Sequence, residues 1–317
     1  MRWLGRHLVC VLVLGTLASC AGRNRSSSGA ASPATERQRQ IARLQEFAHD
    51  KGFPETGNFR KAAPDKHAYY LCYYTGPWEL PLDYHGLRYR ERDQRGCGLS
   101  ETKFDVYFHR VESVAGEDAP VTQALEDASP ERALMVAAHE EAHEDPQLER
   151  LPAAFSEAAT TLLGMITAAE FALRDGDTAT ATHLSADARL YARKSRAVNA
   201  LHAALTTLYA EHRAGKRNRA ETAARKHELL KEHAAACAAF GRGHSINPCL
   251  PVSNNAGVAF EHTYTRFYPL LYELYESTGQ DLDRFLKALR ALGNERTTDL
   301  AAVEARLRQQ IRTHAVP

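Results

Sequence analysis

Apolar positions along residues 37–51, namely Ile41, Leu44, Phe47 and Ala48, recur at helical spacing, and Gly52 follows as a stop. That pattern predicts a first helix. The period then shortens: residues 68–75 and 103–109 are rich in aromatic and β-favouring side chains, with a weaker run at 87–90. These predict a small antiparallel sheet, with the alternating tyrosines as its half-buried face. From residue 152 to 240 the helical pattern is broken only at Asp175-Gly176-Asp177 and at residues 215–218, which predicts three long helices. A Gly- and Pro-containing loop, residues 241–251, leads to Asn254 and Asn255, and further helices are expected near residues 258–278, 281–292 and 298–312. The fold class is α+β and predominantly α-helical. A small N-terminal antiparallel sheet is expected to pack on the helix described below that carries two histidines, followed by a long-helix C-terminal region.

The first residues lie outside this pattern. Arg2 and Arg6 precede an apolar run at residues 8–17, closed by Leu17-Ala18-Ser19-Cys20. This reads as a signal peptide, residues 1–19, whose end resembles the bacterial lipobox, with Cys20 the lipidated residue. About ten apolar residues are too few to cross a bilayer. Ala21 after the cysteine resembles the outer-membrane sorting class, so the expected location is the bacterial cell envelope, lipid-anchored in the outer membrane and facing the periplasm. Residues 20–36 are expected to form the lipidated Cys and a flexible tether. Residues 37–317 are then a single domain, with a mixed part at 37–128 and a helical part at 129–317.

Charge and cysteine content narrow the picture further. A net charge of +1 with no basic cluster beyond a helix surface at residues 213–225 gives no support to nucleic-acid binding. Of six cysteines, Cys10 leaves with the signal peptide and Cys20 takes lipid. Cys72, Cys97, Cys237 and Cys249 remain in an oxidising compartment, and two disulfides are expected. Three pairings are open, of which Cys72–Cys97 and Cys237–Cys249 are local in sequence. No C-x-x-C spacing favours a Cys-type zinc site instead.

The candidate chemistry lies at His139-Glu140-Glu141-Ala142-His143, an HExxH sequence. Two histidines four residues apart share one helix face, so both rings can reach one ion while Glu140 stands beside its open position. A chain with 15 His can contain the pattern by chance, so the surroundings matter. Ser129 is a good N-cap, Pro130 suits the first helical position, and Pro146 ends the helix. After a short polar turn at residues 145–150, a returning core-facing helix carries Glu157 about one turn in. Glu157 is the natural third ligand of a His2Glu set with water at the fourth position. The other helix histidines, His183, His202, His212, His227 and His233, read as surface or satisfied core residues, and the Asn pair as a helix cap.

These pieces together resemble a bacterial family of zinc aminopeptidase lipoproteins, HExxH metallopeptidases of gluzincin-like type. The resemblance rests on the lipobox, Glu46-Phe47-Ala48 with Gly52-Phe53-Pro54 and Gly57, the HExxH helix, Phe155-Ser156-Glu157, and Asn254-Asn255-Ala256 followed by Tyr264 and Phe267. It runs in order through nearly the whole mature chain. It implies one zinc per chain held by His139, His143 and Glu157, a peptide substrate, and Glu140 as general base. It also aligns Asn254 and Asn255 with a segment that would bind substrate. Tyr264 and His262 are candidate donors to the oxyanion, and Glu261 is a conceivable partner for a substrate α-amine. The strand around residues 104–111 either edges the cleft, where an extended peptide could add, or is an ordinary sheet strand. Glu141 stands where the family usually has an apolar residue, and Ser156 where it commonly has Asn. Two other readings of the chain are a non-catalytic helical envelope lipoprotein that binds a partner and a metal-holding pseudopeptidase.

Overall fold

Most of the helices begin where a polar side chain satisfies an exposed N–H group. The Thr35 hydroxyl accepts from Gln38 N while the Gln38 side chain accepts from Thr35 N, opening α1 (Glu36–Asp50). The structure is a computed structural model that describes residues 34–114, 118–246, 252–294 and 296–314. The expected signal peptide, the lipidation site Cys20 and the Cys237–Cys249 pairing, through Cys249, lie outside the described residues. Residues 35–317 cluster as one compact unit.

After α1 come β1 (Ala62–Ala63), β2 (Tyr69–Thr75), β3 (Arg88–Arg92), β4 (Asp105–Val111), β5 (Val121–Thr122) and the single turn α2 (Gln123–Glu126). The helical part follows as α3 (Pro130–His143), α4 (Ala153–Arg174), α5 (Thr178–Arg213) and α6 (Arg219–Ala238). It closes with α7 (Asn255–Thr265), α8 (Tyr268–Ser277), α9 (Leu282–Leu292) and α10 (Leu300–His314). The fold class is therefore α+β and predominantly helical, with the three long helices α4, α5 and α6 where the apolar pattern expects them. The helix expected over residues 258–278 is in fact two. Pro269 sits in the first turn of α8, where its missing N–H costs nothing, and the chain turns at Arg266 and Phe267 instead of continuing α7.

The three main strands form an antiparallel sheet in the order β3-β2-β4, while β1 and β5 make a short parallel pair. In its register Tyr73 stands opposite both Tyr89 and Tyr107, and Leu71 opposite His109. Tyr73, Tyr107 and His109 bring their rings to within 4.9–5.1 Å of Phe260 on α7, so this face of the sheet packs on that helix. The opposite face carries the disulfide between Cys72 and Cys97, as the local pairing predicts. The sheet is joined to α3 through the ion pair of Arg132 with Glu112, just beyond β4, at 2.7 Å.

The main core is shared by α1, α3, α4, α5, α8, α9 and α10, with Phe155, Phe171, Phe267, Tyr268 and Phe285 among its largest fully buried side chains. Between α3 and α4 the backbones come unusually close. A Cβ added at Gly164 would lie 2.8 Å from the Met135 carbonyl oxygen and 3.1 Å from His139 Cβ. Glycine at this point lets α4 run directly beside the histidine face of α3. On an exposed helix, Gly→Ala would stabilise by about 1 kcal/mol. Here Gly164→Ala should destabilise by about 1–3 kcal/mol, because the contact is with backbone that must move. Chemical denaturation measures it, and a stabilised Gly164→Ala protein would contradict the close approach.

Candidate metal centre

Helix α3 is built to hold two imidazoles side by side. Ser129 caps it by accepting from Arg132 N, Pro130 occupies its first position, and it ends at Glu144 ahead of Pro146. The turn that follows is fixed by Asp145, which is fully buried. Its Oδ1 accepts from Gln147 N at 3.0 Å, and its Oδ2 from Arg290 Nε on α9 at 2.8 Å. Helix α4 then returns antiparallel against α3 and delivers Glu157 in its second turn. Consequently the His139 and His143 Nε2 atoms lie 3.1 Å apart, and Glu157 Oε2 lies 3.7 Å from the first and 3.3 Å from the second. The three side chains retain 14%, 17% and 12% of their exposure.

Glu157 Oε2 is buried and receives no hydrogen bond, so it faces the two ring nitrogens alone. Its other oxygen accepts from the Tyr84 hydroxyl at 3.0 Å. Burial by itself would raise the Glu157 carboxyl, but the two imidazoles and this hydrogen bond hold it well below the usual carboxylate range. Burial opposes charge on His143 too, yet Glu157, Glu140 and Glu144 keep it above its ordinary value. His139, desolvated and next to His143, is pushed down to about 3. Two imidazole nitrogens and a carboxylate with converging lone pairs could hold a cation.

Glu140 is 6% exposed. One of its oxygens lies within 4.8 Å of ligand atoms of both His139 and His143. Burial pushes its carboxyl up to about 7, with His143 opposing and Glu157 adding to the effect. Glu141 points the other way. Its buried carboxylate accepts from the Thr56 hydroxyl and from Gln45 Nε2, each at 2.8 Å, and so ties α1 and the segment after it to the back of α3. That gives a physical reason for a carboxylate at a position where an apolar residue would also pack.

The remaining sequence candidates separate clearly. Tyr264 sits beside the cluster, its ring 5.3 Å from Phe260 and 6.4 Å from Tyr84. Burial, then Glu157 and Tyr84, keep its hydroxyl protonated. His262 points elsewhere: it stacks on His202 at 3.8 Å, and its Nδ1 is 2.7 Å from the Leu82 carbonyl. Asn254 caps α7 by accepting from Gly257 N and donates to the Val106 carbonyl. Asn255 is fully buried, accepting from the Tyr209 hydroxyl and donating to the Pro77 and Glu79 carbonyls. The amides of Asn254 and Asn255 are thus engaged in holding α7 to β4 and to the segment around residues 77–79. Glu261 is buried in an ion pair with Lys194 at 2.6 Å. Tyr84, which contacts Glu157, was not among the sequence candidates. It lies in a 3-10 turn, Tyr84–Gly86, with no spacing relation to the HExxH residues, and only the fold brings it there.

A family model described as "Putative aminopeptidase" matches residues 95–302, about two thirds of the chain. The matched region contains α3, α4 and α7 with His139, Glu140, His143 and Glu157. No curated protein and no solved structure matches the chain.

The buried carboxyl of Glu140 makes stability depend on pH. Its pKa in the fold is raised from 4.5 to about 7, so its neutral form keeps full stability below the lower value. That stability is lost as the pH rises through about 7, by about 3 kcal/mol. In metal-free protein, Glu140→Gln should be close to wild type near about pH 5 and more stable by roughly 2–3 kcal/mol near about pH 8. Urea titrations at the two pH values measure this. An equal difference at both would show that Glu140 is not desolvated.

Proposed function

This chain belongs to the family described as "Putative aminopeptidase", and on that premise we propose that it is a zinc-dependent peptidase. Family membership supports a peptidase-like role, and the donor geometry supports the metal. Two ligands about 2.0–2.1 Å from a tetrahedral zinc lie roughly 3.3 Å from each other. The three separations among His139 Nε2, His143 Nε2 and Glu157 Oε2 are 3.1, 3.3 and 3.7 Å. This match is the single observation that carries the reading. A His2Glu set with no thiolate and one position left open is the donor chemistry of hydrolytic rather than structural zinc.

Zinc held by these residues would supply Lewis-acid polarisation of a carbonyl and bring water toward a pKa of about 7. The chain's own groups do the rest. Glu140, whose carboxylate lies beside both histidines, accepts the proton of the attacking water and passes it to the departing amine. Tyr84 donates to Glu157 and fixes that carboxylate's orientation, as an outer hydrogen bond to a ligand does. The Tyr264 hydroxyl, kept protonated, is the donor for the developing oxyanion. Hydrolysis of peptides from a free N-terminus is the activity the family description suggests. The envelope location, anchored by lipid on Cys20 at the periplasmic face of the outer membrane, belongs to the same proposal and rests on residues 1–20 of the sequence. So does the arrangement of residues 37–317 as one catalytic domain.

Glu140→Gln should retain zinc at wild-type stoichiometry while lowering kcat by at least about 100-fold on peptide substrates. Metal analysis of the purified variant and a peptide-library assay on free and acetylated N-termini measure both. Undiminished turnover by Glu140→Gln would overturn the mechanism. Cleavage confined to free N-termini would identify an aminopeptidase, and equal cleavage of blocked peptides would overturn the exopeptidase assignment.

A further inference from the structure

At the opposite end of α3 a second set of potential ligands comes together. Glu131, in the first turn of that helix, lies with one carboxylate oxygen 2.8 Å from His183 Nδ1 on α5. The His183 ring is stacked on that of His244, centroid to centroid 3.6 Å and within 2° of parallel. Ligand atoms of Glu131, His183 and His244 all lie within 4.8 Å of one another. The sequence suggests nothing of this, because its three residues are far apart in the chain and His183 reads as an ordinary helix histidine.

The segment carrying His244 is held in place by more than packing. Asp187 follows His183 by one helical turn and is 1% exposed. Its carboxylate accepts from His244 N at 2.9 Å, from Ser245 N at 2.5 Å and from the Ser245 hydroxyl at 2.7 Å. Arg132 Nη1 donates to the Ser245 carbonyl at 3.0 Å, and the Ser129 hydroxyl to that of His244 at 3.4 Å. A Cβ at Gly243 would stand 2.7 Å from Asp187 Oδ1, so the segment lies flat against α5 only because residue 243 is glycine. The backbones that carry the donors are thus fixed on three separate elements, and the exposed His244 ring, stacked parallel on His183, turns to bring its in-plane lone pair to a shared ion. The donors are also reachable: the Glu131 side chain is 12% exposed and that of His183 38%, with His244 at the surface.

The geometry points to a second metal site, a transition-metal site of zinc type formed by Glu131, His183 and His244. Two imidazoles and one carboxylate favour zinc or a similar borderline ion over calcium or magnesium, which take oxygen donors. Glu131 and His139 stand eight positions apart on α3, about 12 Å along the helix axis. The two sites are therefore too far apart to act as a dinuclear centre, whose ions stand about 3.5–4 Å apart. The second ion acts as a clasp, fastening the segment around residues 243–246 to α3 and α5 and stabilising the folded chain in proportion to free zinc. This inference does not depend on the peptidase assignment.

The test is zinc content of the full mature protein at saturating free zinc, compared with His244→Ala. The His244 side chain is exposed, so its removal leaves the core intact. Wild type should hold about two zinc ions per chain and His244→Ala about one. Glu131→Gln should match His244→Ala, and the zinc-dependent rise in Tm should shrink in both. His143→Ala should lose the other ion, so failure of either site is read independently of the other. Equal zinc content in wild type and His244→Ala, whether one ion or none, would overturn the second site.

Discussion

The molecule depends on the return of α4 along α3. The convergence of His139, His143 and Glu157 follows from two backbones approaching at Gly164 closely enough that a side chain there would strike the Met135 carbonyl and His139. With that approach made, His139 and His143 on one helix and Glu157 on the other converge in a partly desolvated space. The turn between them is not slack. Asp145 satisfies its backbone N–H groups and accepts from Arg290, so α9 at the far end of the chain holds the hairpin closed. Three groups with a strong electrostatic reason to be in water are instead held together, and a cation is what such an arrangement stabilises.

The surrounding shell separates two roles played by neighbouring carboxylates. Glu140 faces the cluster, and burial raises its carboxyl above the ordinary carboxylate range. Glu141, one residue on, faces Thr56 and Gln45 and anchors α1 against α3. The sheet contributes from the other side. Through Tyr73, Tyr107 and Phe260 it sets α7, and α7 with the turn after β2 brings Tyr264 and Tyr84 to the carboxylates. An N-terminal sheet thereby positions two tyrosines beside the cluster.

Much of this was legible in the sequence where a signal is local. The cap and stop of α3, the i, i+4 histidines, the short turn and the returning Glu157 lie within 29 consecutive residues, 129–157, and periodicity with turn chemistry suffices to align them. The disulfide of Cys72 with Cys97 and the antiparallel sheet were readable for the same reason. What was not legible depends on distant segments meeting. Tyr84 reaches Glu157 across 73 residues, and His244 reaches His183 across a loop whose course Asp187 decides. The Asn pair shows the converse: a polar doublet that looks available in sequence is consumed by Val106, Tyr209, Pro77 and Glu79 once the chain folds. His262 likewise shares α7 with Tyr264, but two helical steps of about 100° each turn it to the other side, toward His202.

The proposed zinc site joins His139, His143 and Glu157 around one ion. Anomalous diffraction from crystals of the zinc-loaded protein, recorded on both sides of the zinc absorption edge, tests it without reference to any substrate. An anomalous peak is expected between His139 Nε2, His143 Nε2 and Glu157 Oε2, at about 2.0–2.2 Å from each. Absence of a peak at that position in crystals whose protein carries zinc would contradict it.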